Sequence, residues 1–106
     1  MATRAEMLQK MLDANPDDSF ARYALSMELA KAGDLEGALD GYTTIISRTP
    51  DYVPAYQMAG QLLIEEGRFD EAKERLETGI SVAEAAGNKK AQDEMGDLLE
   101  EVEMSL

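Results

Sequence analysis

The chain has 106 residues, of which 44% are hydrophobic, and a net charge of −12. This length and composition favour one folded domain over a disordered segment. Cysteine and histidine are absent, which excludes disulfides, thiol catalysis, cysteine-based metal sites and the usual general base. The acidic balance disfavours nucleic acid and anionic membranes as partners, because it repels phosphate groups.

The first predicted element is a helix over residues 3–14, where Met7, Leu8, Met11 and Leu12 recur at helical spacing. Asn15-Pro16 ends this helix. The opening residues form neither an apolar leader nor a membrane span, so we expect a cytoplasmic protein.

Two further helices are predicted between residues 16 and 49. Gly33-Asp34 separates them, and Gly33 suits the left-handed residue that closes a helix. Thr49-Pro50 ends the second helix, because proline disfavours helical geometry in the residue before it.

The chain from Pro50 repeats the same pattern with a period of 34 residues, as nine identical pairs show. The pairs are Pro16/Pro50, Asp17/Asp51, Ala21/Ala55, Leu29/Leu63, Gly33/Gly67, Ala38/Ala72, Thr44/Thr78, Ile46/Ile80 and Ser47/Ser81. A fixed period of this length is typical of stacked helical repeats.

The end of the chain departs from this period. No proline follows Ile80, so the fifth helix is predicted to continue to Gly87. Asn88 can then cap a last helix that has an apolar inner stripe and an acidic outer face. Such a helix suits the end of a repeat array. The sequence therefore predicts six helices in three antiparallel pairs.

The repeated residues resemble the tetratricopeptide repeat family. The first unit matches its pattern at Leu25-Ser26, Leu29, Gly33-Asp34, Ala38, Tyr42 and Pro50. The second matches at Tyr56, Gly60, Leu63, Gly67, Ala72, Leu76 and Gly79. Two departures are Arg22, which replaces an aromatic whose space Phe20 or Tyr23 would fill, and Glu84, which replaces the closing proline.

The resemblance implies an all-α solenoid of antiparallel helix pairs with a right-handed superhelical twist. Its expected divisions are an N-terminal half-unit helix (1–15), repeat 1 (16–49), repeat 2 (50–86) and a C-terminal capping helix (87–106). All four belong to one domain, 1–106.

The family usually binds peptides in a concave groove, so the resemblance implies a non-catalytic protein-interaction module without cofactor, metal site or catalytic residues. The expected peptide-binding residues are Phe20, Tyr23, Met27, Gln57, Met58, Gln61, Asp97 and Glu101. These residues are apolar at one end of the set and acidic at the other. The expected partner is therefore a protein or peptide of basic or mixed apolar and basic character.

The same residues have simpler interpretations. Phe20, Tyr23 and Met27 can fill space against the N-terminal helix, and Gln57 and Gln61 can form a solvated helix face. The cationic clamp that chaperone-linked family members use for a carboxylate is missing. Tyr23, Met27 and Met58 stand at its first positions, and Glu94 stands where its arginine should be.

Two other functions remain open at this point. The Met-rich N-terminal helix, with Met7 and Met11, could support self-assembly into a homodimer or a larger structural oligomer. A minimal enzyme would need a carboxylate pair such as Glu65 or Glu66 with Asp70. A solvent-exposed helix surface explains these residues better, since the sequence contains no Gly-rich phosphate loop, metal-spaced carboxylate motif or nucleophile elbow.

Overall fold

The computed structural model describes residues 2–106 and contains six helices and no strand in that range. The helices are α1 (Arg4–Ala14), α2 (Ser19–Lys31), α3 (Leu35–Arg48), α4 (Val53–Glu65), α5 (Phe69–Ala85) and α6 (Lys89–Ser105). The predicted all-α fold of six helices is confirmed, including the extension of α5 almost to Gly87. The chain forms two compact units, the first ending at Thr49 and the second running from Pro50 to Leu106.

The first unit holds α1, α2 and α3, each packed against the next helix along the chain. Its apolar core consists of Leu8, Leu12, Ala21, Ala24, Ala38, Leu39, Tyr42 and Ile45. Close approach of α2 and α3 depends on small side chains, because a Cβ added at Gly41 would overlap the hydroxyl of Ser26.

The second unit holds α4, α5 and α6, and α4 contacts both of the other helices. Leu63, Leu76, Met95 and Val102 are its largest fully buried side chains. A Cβ built on Gly79 of α5 would lie 2.6 Å from Tyr56 Cβ and 2.7 Å from Met95 Sδ. Gly79 therefore allows α5 to approach both neighbouring helices.

The turns inside the helix pairs are closed by glycine. Gly33 and Gly67 have φ angles of 89° and 71°, a region that side-chain-bearing residues rarely enter. The following amides, of Asp34 and Arg68, donate to the carbonyls of Leu29 and Leu63 at 2.9 and 2.8 Å. These six-residue closures satisfy carbonyl groups that the helix ends would otherwise leave unpaired.

Polar side chains cap the start of four helices, and at α1 the Thr3 hydroxyl accepts from the Glu6 amide at 3.1 Å. Asp18, Asp34 and Asn88 each accept a hydrogen bond from the amide three residues later, at 3.0, 2.9 and 3.1 Å. Each of these caps supplies an acceptor to an amide that has no partner inside its helix. The predicted cap at Asn88 is confirmed, and Pro54 lies in the first turn of α4 as expected.

Candidate protein-binding surface

An apolar stripe runs along one face of α2. Phe20, Tyr23 and Met27 follow one another at intervals of three and four residues, which places them on the same side of the helix. Phe20 is 69% exposed and Met27 is 36% exposed, while Tyr23 is half-buried. We call these three residues the α2 stripe. The interpretation of Phe20 as a space-filling residue is wrong, because most of its side chain faces solvent.

The α2 stripe borders a cavity of about 390 Å³ in the first unit, which we call the α2 cavity. Its lining is completed by Arg4 of α1 and by Ala24, Glu28 and Lys31 of α2. The Glu28 carboxylate lies 3.1 Å from the Arg4 guanidinium and 3.7 Å from the Lys31 ammonium. The cavity thus combines an apolar wall with two cations that share one carboxylate.

Tyr42 supports the stripe from the interior of the first unit. Its ring centroid lies 5.7 Å from that of Tyr23, with the rings tilted by 56°. Tilted packing at this distance is favourable for aromatic pairs and restricts the orientation of the Tyr23 ring. The Tyr42 side chain is fully buried, and its hydroxyl has no hydrogen-bond partner among residues 2–106. Burial raises the pKa of Tyr42 to about 12, and the neighbouring Tyr23 adds to the shift.

We expect Tyr42→Phe to raise the free energy of unfolding at pH 7 by about 1–3 kcal/mol, because the unpaired buried hydroxyl is removed. The wild-type protein should also lose stability between about pH 10 and pH 12, since its unfolded chain releases a proton that folded Tyr42 retains. Urea unfolding of both proteins at pH 7, 9 and 11 tests this expectation. A stability difference that stays constant up to pH 11 would contradict the assigned role of Tyr42.

The second unit holds the predicted glutamines and Met58 on α4. The Gln57 side-chain amide donates to the Glu94 carboxylate of α6 at 3.0 Å, so this residue joins two helices instead of forming a solvated face. Lys90 lies 3.9 Å from the same carboxylate. A cavity of about 220 Å³ lies here, lined by Val53, Pro54, Gln57, Asn88, Lys90, Ala91 and Glu94. Met58 and Gln61 are half-buried on α4.

The predicted acidic residues lie on the outer part of α6. Asp97 and Glu101 are both exposed. Asp97 borders an open cavity of about 620 Å³ in the second unit, whose other lining residues are Ile80, Gln92, Asp93, Gly96 and Glu100. Glu101 does not line this cavity. The eight predicted residues are therefore spread over several places: three border the α2 cavity, and Gln57 and Asp97 border two different cavities of the second unit.

Sequence reasoning missed Arg4 and Glu28 as parts of the α2 cavity. Their ion pair joins the first turn of α1 to the last turns of α2. No spacing rule connects residues 24 positions apart, because the contact depends on how the two helices pack.

No group of three or more acidic side chains in residues 2–106 is arranged to hold a metal ion. None of the helices described is both long enough and apolar enough to cross a membrane.

Helices paired in sequence order and joined by glycine-closed turns define a helical-repeat protein. The family model of the tetratricopeptide repeat matches residues 29–86, more than half of the chain. This protein therefore belongs to the tetratricopeptide repeat family, whose domains generally mediate protein–protein interaction and are typically not enzymes.

Two similar proteins come from Salinibacter ruber and Pseudomonas aeruginosa. A tetratricopeptide repeat domain protein of Salinibacter ruber, solved by crystallography, is 34% identical; the match covers 81% of this chain and 97% of that one, with a TM-score of 0.78. A TPR repeat-containing protein of Pseudomonas aeruginosa is 29% identical over 85% of this chain and 86% of its own length.

The TPR2B domain of yeast Sti1, solved in a complex with pHsp70, is 19% identical to this chain. The match has a TM-score of 0.89 and covers 96% of this chain and 82% of that one. At this identity the likeness establishes the shared fold alone.

Proposed function

We propose that this protein binds a protein or peptide partner and that the α2 stripe is the main apolar contact in its first unit. The observation that carries the proposal is the exposure of Phe20 beside Met27 and Tyr23 on the wall of one cavity. Single exposed apolar residues are common on protein surfaces, but a contiguous group next to a concavity is typical of an interaction site.

The side chains of the stripe suit an apolar group of the partner. Phe20 and Tyr23 offer large, stiff surfaces with few rotatable bonds, and Met27 can adapt to an irregular shape. The cavity volume of about 390 Å³ is within the range of small binding pockets and can accept one or two side chains. Members of this family bind other proteins, as the pHsp70 complex of yeast Sti1 illustrates for a protein of the same fold.

The negative charge of this protein indicates that the proposed partner also carries basic groups. The first unit carries five cationic and eight acidic residues, and the second unit carries five and fourteen, so the net charges are −3 and −9. Basic groups of the partner are therefore expected to pair with carboxylates of the second unit, including Asp97 and Glu101. Near the α2 stripe, Arg4 and Lys31 would repel such groups. A partner of mixed apolar and basic character fits both regions.

Site-specific photo-crosslinking tests this proposal. A benzophenone amino acid is placed at position 20 and, as a matched control, at position 43, because Thr43 is an exposed residue of α3 that borders none of the cavities described above. We expect irradiation in extracts of the native host to give a covalent partner adduct from position 20 and none from position 43. Adducts from position 43 without any from position 20 would refute the assignment of the α2 stripe.

A further inference from the structure

Three helices of this protein occupy equivalent places in the repeat. α2, α4 and α6 begin at Ser19, Val53 and Lys89, and each has a buried alanine two residues after its first residue. Seven residues after the first residue of each helix stand Ser26, Gly60 and Gly96. This agreement identifies α6 as the first helix of a third helix pair.

The surface at these three positions is covered in two of the helices and open in the third. On α2, Ser26 contacts Gly41 of α3; on α4, a Cβ at Gly60 would lie 2.6 Å from Leu76 Cδ2 of α5. At Gly96 of α6, an added Cβ would have no heavy atom of a neighbouring element within 4 Å. The cavity of about 620 Å³ lies at this place, between Ile80 and the acidic side chains Asp93, Asp97 and Glu100. We call it the Gly96 surface.

Helix α1 exposes apolar side chains at positions that are covered in the equivalent helix α3. It ends at Ala14, 34 residues before the end of α3 at Arg48, so Met7 and Met11 are the counterparts of Gly41 and Ile45. Gly41 contacts α2 and Ile45 is fully buried, whereas Met7 is 57% exposed and Met11 is 49% exposed. By position in the repeat, α1 therefore corresponds to the second helix of a pair. No first helix in residues 2–106 covers its exposed methionines, Met7 and Met11.

The charges of the two surfaces are opposite. Arg4 and Lys10 stand three residues before and after Met7, which places them beside the methionines. Lys10 has no ion-pair partner among the described residues, while Arg4 also contacts Glu28. Both carboxylates of α1 have local partners, since Glu6 accepts from Thr3 and Asp13 accepts from Gln9. The Gly96 surface carries Asp97 and Glu100 at its rim.

We propose that α1 of one copy docks on the Gly96 surface of a second copy and completes the third helix pair. Met7, the counterpart of Gly41, then lies over Gly96, where a flexible side chain fills the space that the missing side chain leaves. Lys10 lies near the carboxylates of Asp97 and Glu100. The two surfaces differ, so the contact is head-to-tail and the dimer retains one free α1 surface and one free Gly96 surface, to which further copies can add.

Sedimentation velocity with blocked variants tests this proposal on the full chain. Gly96→Leu adds a side chain that blocks the Gly96 surface, and Met7→Glu places a negative charge on the docking face of α1. Met7 is exposed and a side chain at Gly96 enters open space, so both variants should keep wild-type helicity by circular dichroism. The wild-type protein is expected to exceed twice its monomer mass of 11.6 kDa as its concentration rises toward ~1 mM. Each variant alone is expected to remain a monomer.

An equimolar mixture of the two variants distinguishes a head-to-tail contact from a symmetric one. One variant retains an intact α1 and the other an intact Gly96 surface, so the mixture is expected to form a one-to-one dimer and nothing larger. A symmetric interface between identical patches would give no such rescue. A wild-type monomer at every concentration, a variant that associates like the wild type, or a mixture that stays monomeric would each overturn the proposal.

Phe20→Ala separates this inference from the proposed function. Phe20 belongs to the α2 stripe and to neither docking surface, so this variant is expected to associate like the wild type. Loss of association in Phe20→Ala would show that the α2 stripe forms the contact between copies and would overturn the docking of α1.

Discussion

Gly79→Leu is expected to lower the free energy of unfolding by about 3 kcal/mol or more, whereas the same substitution at Gly96 should raise it by up to ~1 kcal/mol. At Gly79, an added Cβ lies 2.6 Å from the Cβ of Tyr56, an atom fixed to the backbone of α4. It also lies 2.7 Å from the Met95 sulfur on α6, so a larger side chain must push two helices away. Urea unfolding monitored by circular dichroism measures both variants.

Gly96→Leu is the matched control for this prediction. Both glycines lie inside helices, where replacing glycine by a good helix former removes a backbone entropy cost. They differ in their surroundings, since the Cβ at Gly96 enters open space. Equal changes in stability at the two positions would contradict the packing of α5 between α4 and α6.

Removal of the exposed side chains of the α2 stripe should weaken partner binding. The double substitution Phe20→Ala with Met27→Ala is expected to weaken binding of the crosslinked partner at least about 30-fold, equivalent to ~2 kcal/mol, because aromatic anchors dominate interface energies. Both side chains are exposed, so stability should change little. Isothermal titration calorimetry with the purified partner measures the affinity.

Met104→Ala is the control for the binding experiment. Met104 is also an exposed methionine, but it lies in the last turn of α6 and not on the wall of the α2 cavity. Its removal should leave the affinity unchanged within about twofold. Similar losses in Met104→Ala and in the double variant would show that binding depends on general surface hydrophobicity.

The helices could be predicted from the sequence because local signals decide them. Gly33 adopts the left-handed conformation expected at the end of a helix, and Asn88 caps α6 through its side chain. Pro54 lies where a missing amide costs nothing, in the first turn of α4. Each of these residues acts on its own segment of chain, so no knowledge of tertiary packing is needed.

Arg22 shows where local signals fail. Its counterpart 34 residues later, Tyr56, is buried and donates from its hydroxyl to the Pro50 carbonyl at 2.6 Å. The Arg22 guanidinium donates to the Pro16 carbonyl at 2.8 Å, so the substitution keeps the hydrogen bond although the aromatic ring is lost. Of the two aromatic residues expected to fill the space, Phe20 does not, because it is 69% exposed. The sequence pattern does not reveal that an arginine can replace a tyrosine as the hydrogen-bond donor.

Only part of the candidate site could be predicted from the sequence. The spacing of Phe20, Tyr23 and Met27 follows the helical period, which made their common face predictable. The ion pair of Arg4 with Glu28 and the hydrogen bond of Gln57 with Glu94 join different helices. Such contacts depend on packing register, which neither periodicity nor charge spacing determines.

The assignment of partner binding to the α2 stripe is tested most directly by amide chemical-shift mapping of the labelled protein with its crosslinked partner. We expect the largest changes on residues 20–31 of α2 and on Arg4, with smaller changes around Asp97 and Glu101 of α6. Changes confined to α3 and α5, with α2 unaffected at saturation, would contradict it.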